Sequence, residues 1–145
     1  MPGIVVGFDG SDNASRSLEW AMKEAAAHHA PLTVLAVHQV AASAWTGDPI
    51  LYPEDRAEEE TARQAAEKAV ATAAGKLGGP GPASVTVRAV SGIPAQELIK
   101  ASLEADLVVV GSRGSGGFGT LVMGSTSSQV VHHAHCPVVV MPRNG

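Results

Sequence analysis

The chain has 145 residues, 45% hydrophobic but only 3% aromatic, with a formal net charge of −4, which suits one domain, 1–145, whose core is built from Val, Ala, Leu and Ile. The acidic balance and the lack of any Lys/Arg run exclude sequence-independent binding of nucleic acid. No segment approaches the ~20 apolar residues of a membrane span, and the single Cys136 excludes an intramolecular disulfide and fits a reducing compartment.

In chain order, Ile4 to Phe8 reads as a strand that ends in the turn Asp9-Gly10-Ser11. The opening has no basic signal-like region before this strand, so a cytoplasmic setting is expected. Ser11, Asp12 and Asn13 are candidate caps for a helix from about Ala14 to His29, in which Leu18, Ala21, Met22 and Ala25 recur at helical spacing. Pro31 is expected to stop it. Leu32 to Val37 is a second strand that continues as His38-Gln39-Val40. The segment 41–53 reads as a long loop around Trp45 and Tyr52, whose aromatics are expected to pack on the nearest helix, or else to cover a ligand.

Glu54 to Leu77 has the composition of a long helix whose acidic start suits the helix dipole. Val85 to Val90 alternates as a third strand, and Pro94 opens a helix that runs to about Glu104. Leu107 to Val110 is a short apolar run that fits a strand buried on both faces. A last helix ends near His135, where His132, His133 and His135 complement its dipole and make a weak metal candidate. Pro137 to Met141 closes the chain as a fifth strand, with Cys136 expected as a small buried hydrophobe. The alternation β-α-β-α-β-α-β-α-β calls for a mainly parallel sheet with helices on both faces.

The most informative stretch follows the fourth strand. Gly111, Gly114, Gly116, Gly117 and Gly119 crowd into nine residues, and Gly124 then precedes Ser125, Thr126 and Ser127. Glycines let backbone N–H groups turn inward with no Cβ in the way, forming a nest for phosphate oxygens. A hydroxyl-rich helix start adds the positive end of a helix dipole, and hydroxyls there are expected to satisfy its free N–H groups. Strand, glycine loop and helix start together define an anion site, although a glycine loop that serves only its own turns has the same composition. Arg113 is the only cation in it.

Two other phosphate motifs fail. The GxGxxG at Gly114, Gly116 and Gly119 follows a late strand, and about 20 residues on the chain has reached the apolar run Val138 to Val140 where a dinucleotide fingerprint needs an acid. Gly75-Lys76 lacks the upstream glycine and the Ser/Thr of a P-loop.

The spacing Gly111-x2-Gly114-x9-Gly124-Ser125 resembles the G-x2-G-x9-G-[S/T] signature of the universal stress protein family. The similarity extends through VVGFDGSDNASRSLEWA, LTVLAVH and HHAHCPVVVM, and so over the whole chain. It implies a single-domain, Rossmann-like three-layer α/β sandwich of the adenine nucleotide alpha hydrolase-like type, with a five-stranded parallel sheet of order 3-2-1-4-5. That order sets strands one and four side by side and brings Asp9 next to Gly111. The intact glycine signature implies the ATP-binding branch.

Carried over residue by residue, the resemblance has Gly111, Ser112, Arg113 and Gly114 facing ribose and phosphates. Gly124, Ser125 and Ser127 complete the cradle, and the backbone of Val37 meets the adenine. Asp9 holds the base or ribose, or a Mg²⁺ bound with ATP; as residues alone, Asp9 also suits a cap of its own turn and Arg113 a solvated cation. The function implied is an ATP-binding regulatory or stress-response module with slow or no hydrolysis. A dimeric interaction scaffold that binds no nucleotide is the alternative, as is a weak ATPase or phosphotransfer enzyme, for which the chain offers no convincing catalytic set. The uncharged run Val138 to Met141 lies at a sheet edge in this topology and is expected to pair with a second copy.

Overall fold

Strand β1 (Ile4–Phe8) explains the layering. Its side chains alternate, so that Ile4, Val6 and Phe8 enter one apolar cluster and Val5 enters another on the opposite face. The computed structural model describes residues 3–112 and 124–142; Arg113 and Gly114, and the loop glycines at 116, 117 and 119, lie outside the described residues.

The other elements are α1 (Asp12–Ala27), β2 (Pro31–Gln39), α2 (Asp55–Lys76), β3 (Ser84–Gly92), α3 (Pro94–Ala101), β4 (Leu107–Gly111), α4 (Ser125–His133) and β5 (Val138–Met141). All four strand pairings are parallel and the sheet order is β3-β2-β1-β4-β5, as expected. Leu18, Ala21, Met22 and Ala25 of α1 join Ala66 and Ala73 of α2 over Leu32, Val34, Ala36 and Val109. On the other face Leu98 of α3 and Val130 of α4 pack on Val5, Leu35, Val108 and Val110. Each fully buried aliphatic side chain contributes roughly 1.5–3 kcal/mol to holding these three layers together.

The first helix begins as its sequence implies. Ser11 is the N-cap, and its Oγ accepts from Ala14 N–H at 3.1 Å. The same hydroxyl donates to Asp9 Oδ1 at 2.6 Å, and that oxygen also accepts from Ser11 N–H at 3.0 Å. Gly10, between them, has φ +84°, a conformation that suits glycine.

The end of α1 differs from the expectation that Pro31 stops it. The helix closes at Ala27, and Pro31 is instead the first residue of β2. His29 takes φ +50°, with His29 N–H on Ala26 O at 3.1 Å and Ala30 N–H on Ala25 O at 2.8 Å. These two bonds form a Schellman closure with a histidine where glycine is usual. A left-handed non-glycine residue costs about 1–2 kcal/mol, part of which is offset by the extra chain entropy of glycine. His29→Gly is therefore expected to raise stability by about 0.5–1 kcal/mol, read as a higher urea midpoint at unchanged slope.

The loop between β2 and α2 also departs from expectation. Trp45 and Tyr52 do not pack on a helix; they are 96% and 59% exposed. The reason lies in the loop's own hydrogen bonds. Ala42 and Pro49 form an antiparallel bridge, Ser43 N–H meets Asp48 O at 2.7 Å, and Ile50 N–H meets Ala41 O at 2.8 Å. Gln96 on α3 donates to Gly47 O at 3.2 Å. The loop thus folds as a small hairpin with Trp45 near its tip, turned away from the body.

Candidate functional site

Strands β1 and β4 run side by side only as far as Val6–Val109, although β1 continues to Phe8 and β4 to Gly111. From β1 the chain leaves toward α1 on one face, and from β4 toward α4 on the other. The strand ends open into a cavity of about 570 Å³, within the range of small-molecule sites.

Seven of the nine residues singled out from sequence line this cavity: Asp9, Val37, Gly111, Ser112, Gly124, Ser125 and Ser127. The other two, Arg113 and Gly114, lie outside the described residues. Leu35, Val37, Leu98 and Val110 give it apolar walls. Gly7 sits in the floor because α3 comes close: a Cβ there would lie 3.1 Å from Leu98 Cδ1.

The start of α4 is built differently from the sequence expectation. Its hydroxyls do not cap it; the N-cap is Gly124, which has no side chain to do so. Ser127, fully buried, donates its Oγ–H back to Gly124 O (3.0 Å) and Ser112 O (3.3 Å). Gly124 N–H is held by Ser112 O at 2.7 Å. Among the described residues nothing accepts from the N–H groups of Ser125, Thr126 and Ser127. Donors left open at a helix start, bordering a cavity, suit an anion.

Helix α2 supplies a wall the sequence reading missed: Glu58, Thr61, Ala62 and Ala65 line the cavity. In sequence the acidic start of this helix is explained by its dipole, and an Ala-rich helix offers no signal for which stripe faces a ligand. His38, at the end of β2, also lines the cavity, and its Nε2 is 2.9 Å from Asp55 Oδ1 at the start of α2. Asp55 Oδ2 accepts from Tyr52 N–H at 2.7 Å. The Tyr52 N–H, and then His38, hold the Asp55 carboxyl below its usual 3.8, against an opposing push from burial.

Cys136 is half-buried against the α3/α4 cluster. Burial, with Asp106 adding its charge, pushes its thiol above the ordinary 9.0, which favours the protonated form. Among the described residues no group of three His, Cys, Asp or Glu is placed to hold a metal, and no helix is long and apolar enough to cross a membrane.

Fold and site define a parallel α/β domain with an open crevice where strand order reverses. The family comparison narrows this: the model of the universal stress protein family matches residues 2–142, and the chain belongs to that family. A universal stress protein of Mycolicibacterium smegmatis is 37% identical over 139 residues, covering 96% of this chain; the chain spans 47% of that relative's length, and the same share of the mycobacterial relatives at 38% identity. Among solved structures, universal stress protein UspA from Lactobacillus plantarum superposes with a TM-score of 0.70 at 28% identity, covering 96% of both chains. A universal stress protein in complex with cAMP superposes with a TM-score of 0.67 at 25% identity, covering 97% of this chain and 95% of that one.

The depressed Asp55 carboxyl has a pH consequence. A folded-state value below the unfolded one contributes stability that is complete above 3.8 and is lost as pH falls through the lower folded value. Urea midpoints measured on either side of 3.8 are expected to fall less steeply with acid in Asp55→Asn than in the parent chain.

Proposed function

We propose that the chain is an adenine-nucleotide-binding regulatory module that takes ATP, with Mg²⁺, in the crevice between β1 and β4. The observation that carries the reading is the start of α4, whose N–H groups open onto a cavity of nucleotide size with apolar walls. The complex of a related protein with cAMP supports it. In this reading the phosphates lie on Ser125, Thr126 and Ser127 N–H, with Gly111, Ser112, Arg113 and Gly114 closing the loop side. Val37 borders the base.

The residues present fit such a ligand. Backbone donors do not repel phosphate, and Asp9 is the carboxylate that would join the phosphates around a hard cation. Of the hydroxyls, Ser125 is exposed and free to donate, whereas the Ser127 hydroxyl is committed to carbonyls and would orient the loop rather than touch phosphate. No general base is needed for a module that binds and signals, and slow or absent turnover is expected. Composition supports a cytoplasmic setting.

A regulatory role needs a path from pocket to surface. Ser112 N–H donates to Met141 O at 2.9 Å, joining the loop to β5; Asn13 on α1 donates to that same carbonyl at 3.3 Å and to Pro142 O, which also accepts from Arg16 at 2.8 Å. Strand β5 lies at the sheet edge with four half-buried apolar residues, which favours pairing with a second copy. Light scattering at micromolar concentration is expected to give the mass of two chains; a single-chain mass would remove the dimer from the proposal.

Calorimetric titration with AMP, ADP and ATP, with and without Mg²⁺, tests the ligand. ATP is expected to bind, and Gly114→Val to weaken it by about tenfold or more at little change in melting temperature, since a Cβ crowds the phosphates. Undiminished affinity in that variant would show that the loop does not hold phosphate.

A further inference from the structure

The cavity is electrically lopsided. At the β4 side it presents the open N–H groups of α4; at the β2 side it presents His38 with Asp55 behind it and Glu58 beside it. An anionic group is favoured at the first end and disfavoured at the second. Strand β1 separates β2 from β4, which sets the two ends about 10 Å apart, the scale of a nucleotide from phosphate to base. The group that reaches His38 is thus the neutral far end of the ligand.

The hydrogen bonds around His38 determine what it offers that group. Asp55 Oδ2 is taken by Tyr52 N–H at 2.7 Å, and Oδ1 faces His38 Nε2 at 2.9 Å. An ionised carboxylate only accepts, so Nε2 carries the proton, and in the neutral imidazole Nδ1 is left as a bare acceptor. Among the described residues no group hydrogen-bonds Nδ1.

We propose that His38, its tautomer fixed by Asp55, is a specificity-determining residue that accepts a hydrogen bond from the exocyclic amine of the base and so selects 6-amino over 6-oxo purines. This deepens the nucleotide reading above and rests on it. His38 would touch the ligand, whereas Asp55 is a positioning residue that acts through the ring. A 6-oxo purine turns an acceptor toward an acceptor at this point and leaves both unpaired, which is where hydrogen-bonding sites discriminate most.

The test compares AMP with IMP by calorimetry at about pH 8, above the ordinary imidazole range. The parent chain is expected to prefer AMP by about tenfold, and His38→Leu to bring the ratio to near one. Asp55→Asn gives a sharper outcome. The one oxygen of the asparagine amide takes the place of Asp55 Oδ2 and is retained by Tyr52 N–H, so the amide nitrogen, in the place of Oδ1, donates to Nε2, the proton moves to Nδ1, and the preference inverts toward IMP. A purely structural role for the pair would weaken both ligands alike and move neither ratio. Parent affinity for 2′-deoxy-AMP close to that for AMP supports contact with the base; a deoxy penalty that vanishes in His38→Leu would assign His38 to the sugar and overturn the base contact. Binding of AMP with an AMP:IMP ratio unchanged in both variants would overturn this inference alone, and failure of every nucleotide to bind would overturn it together with the nucleotide reading.

Discussion

The pairing of β1 with β2 on one side and β4 on the other is the constraint from which the site follows. Parallel crossovers are right-handed, so a chain that builds outward from a central strand in both directions must send its helices to opposite faces. Here α1 and α2 cover one face and α3 and α4 the other. The connections that leave β1 and β4 therefore diverge, and a crevice exists at their ends before any side chain is chosen. Val6, Val108 and Val109, completely buried beneath it, keep its floor fixed while the connections above are free to differ in sequence.

Much of this was legible in the sequence because period and glycine carry it. Four-residue apolar runs and alternating strands marked all five strands, and the helical recurrence of Leu18, Ala21, Met22 and Ala25 marked the buried face of α1. Strand order was not readable from periodicity; it came with the family resemblance. The errors share a cause, which is that they concern hydrogen bonds rather than hydrophobic pattern. His29 closes α1 because its backbone completes a Schellman pair, something that glycine would have announced and histidine conceals. Trp45 was expected against a helix because aromatics are usually buried, but the hairpin satisfies its own backbone and leaves the indole outside. The His38–Asp55 pair joins a strand end to a helix start across 17 residues, and neither residue type at that spacing gives a signal.

The site also works against the charge of its own chain. A net charge of −4 gives no long-range attraction for an anion, and among the described residues what suits one is the first turn of α4, where the helix dipole acts at contact distance. Such a site selects by fit more than by steering. In the reading proposed above, selectivity for the other end of the ligand falls to the groups around β2 and α2, where His38 and Glu58 line the cavity and Asp55 holds His38.

Ser127 shows how closely the two ends of the loop are tied. Its buried hydroxyl bridges Gly124 O and Ser112 O, and Gly124 N–H returns to Ser112 O. Ser112 thereby anchors the α4 start through its carbonyl while its own N–H holds Met141 O at the end of β5. One peptide unit at each side of Ser112 thus couples the helix whose N–H groups face the cavity to the strand at the sheet edge. Removing the Ser127 hydroxyl would leave Gly124 O with Ser128 N–H and Ser112 O with Gly124 N–H as their remaining donors, and the loss would be felt in the position of α4 more than in the apolar core, because the strands below are held by their own pairing and by burial.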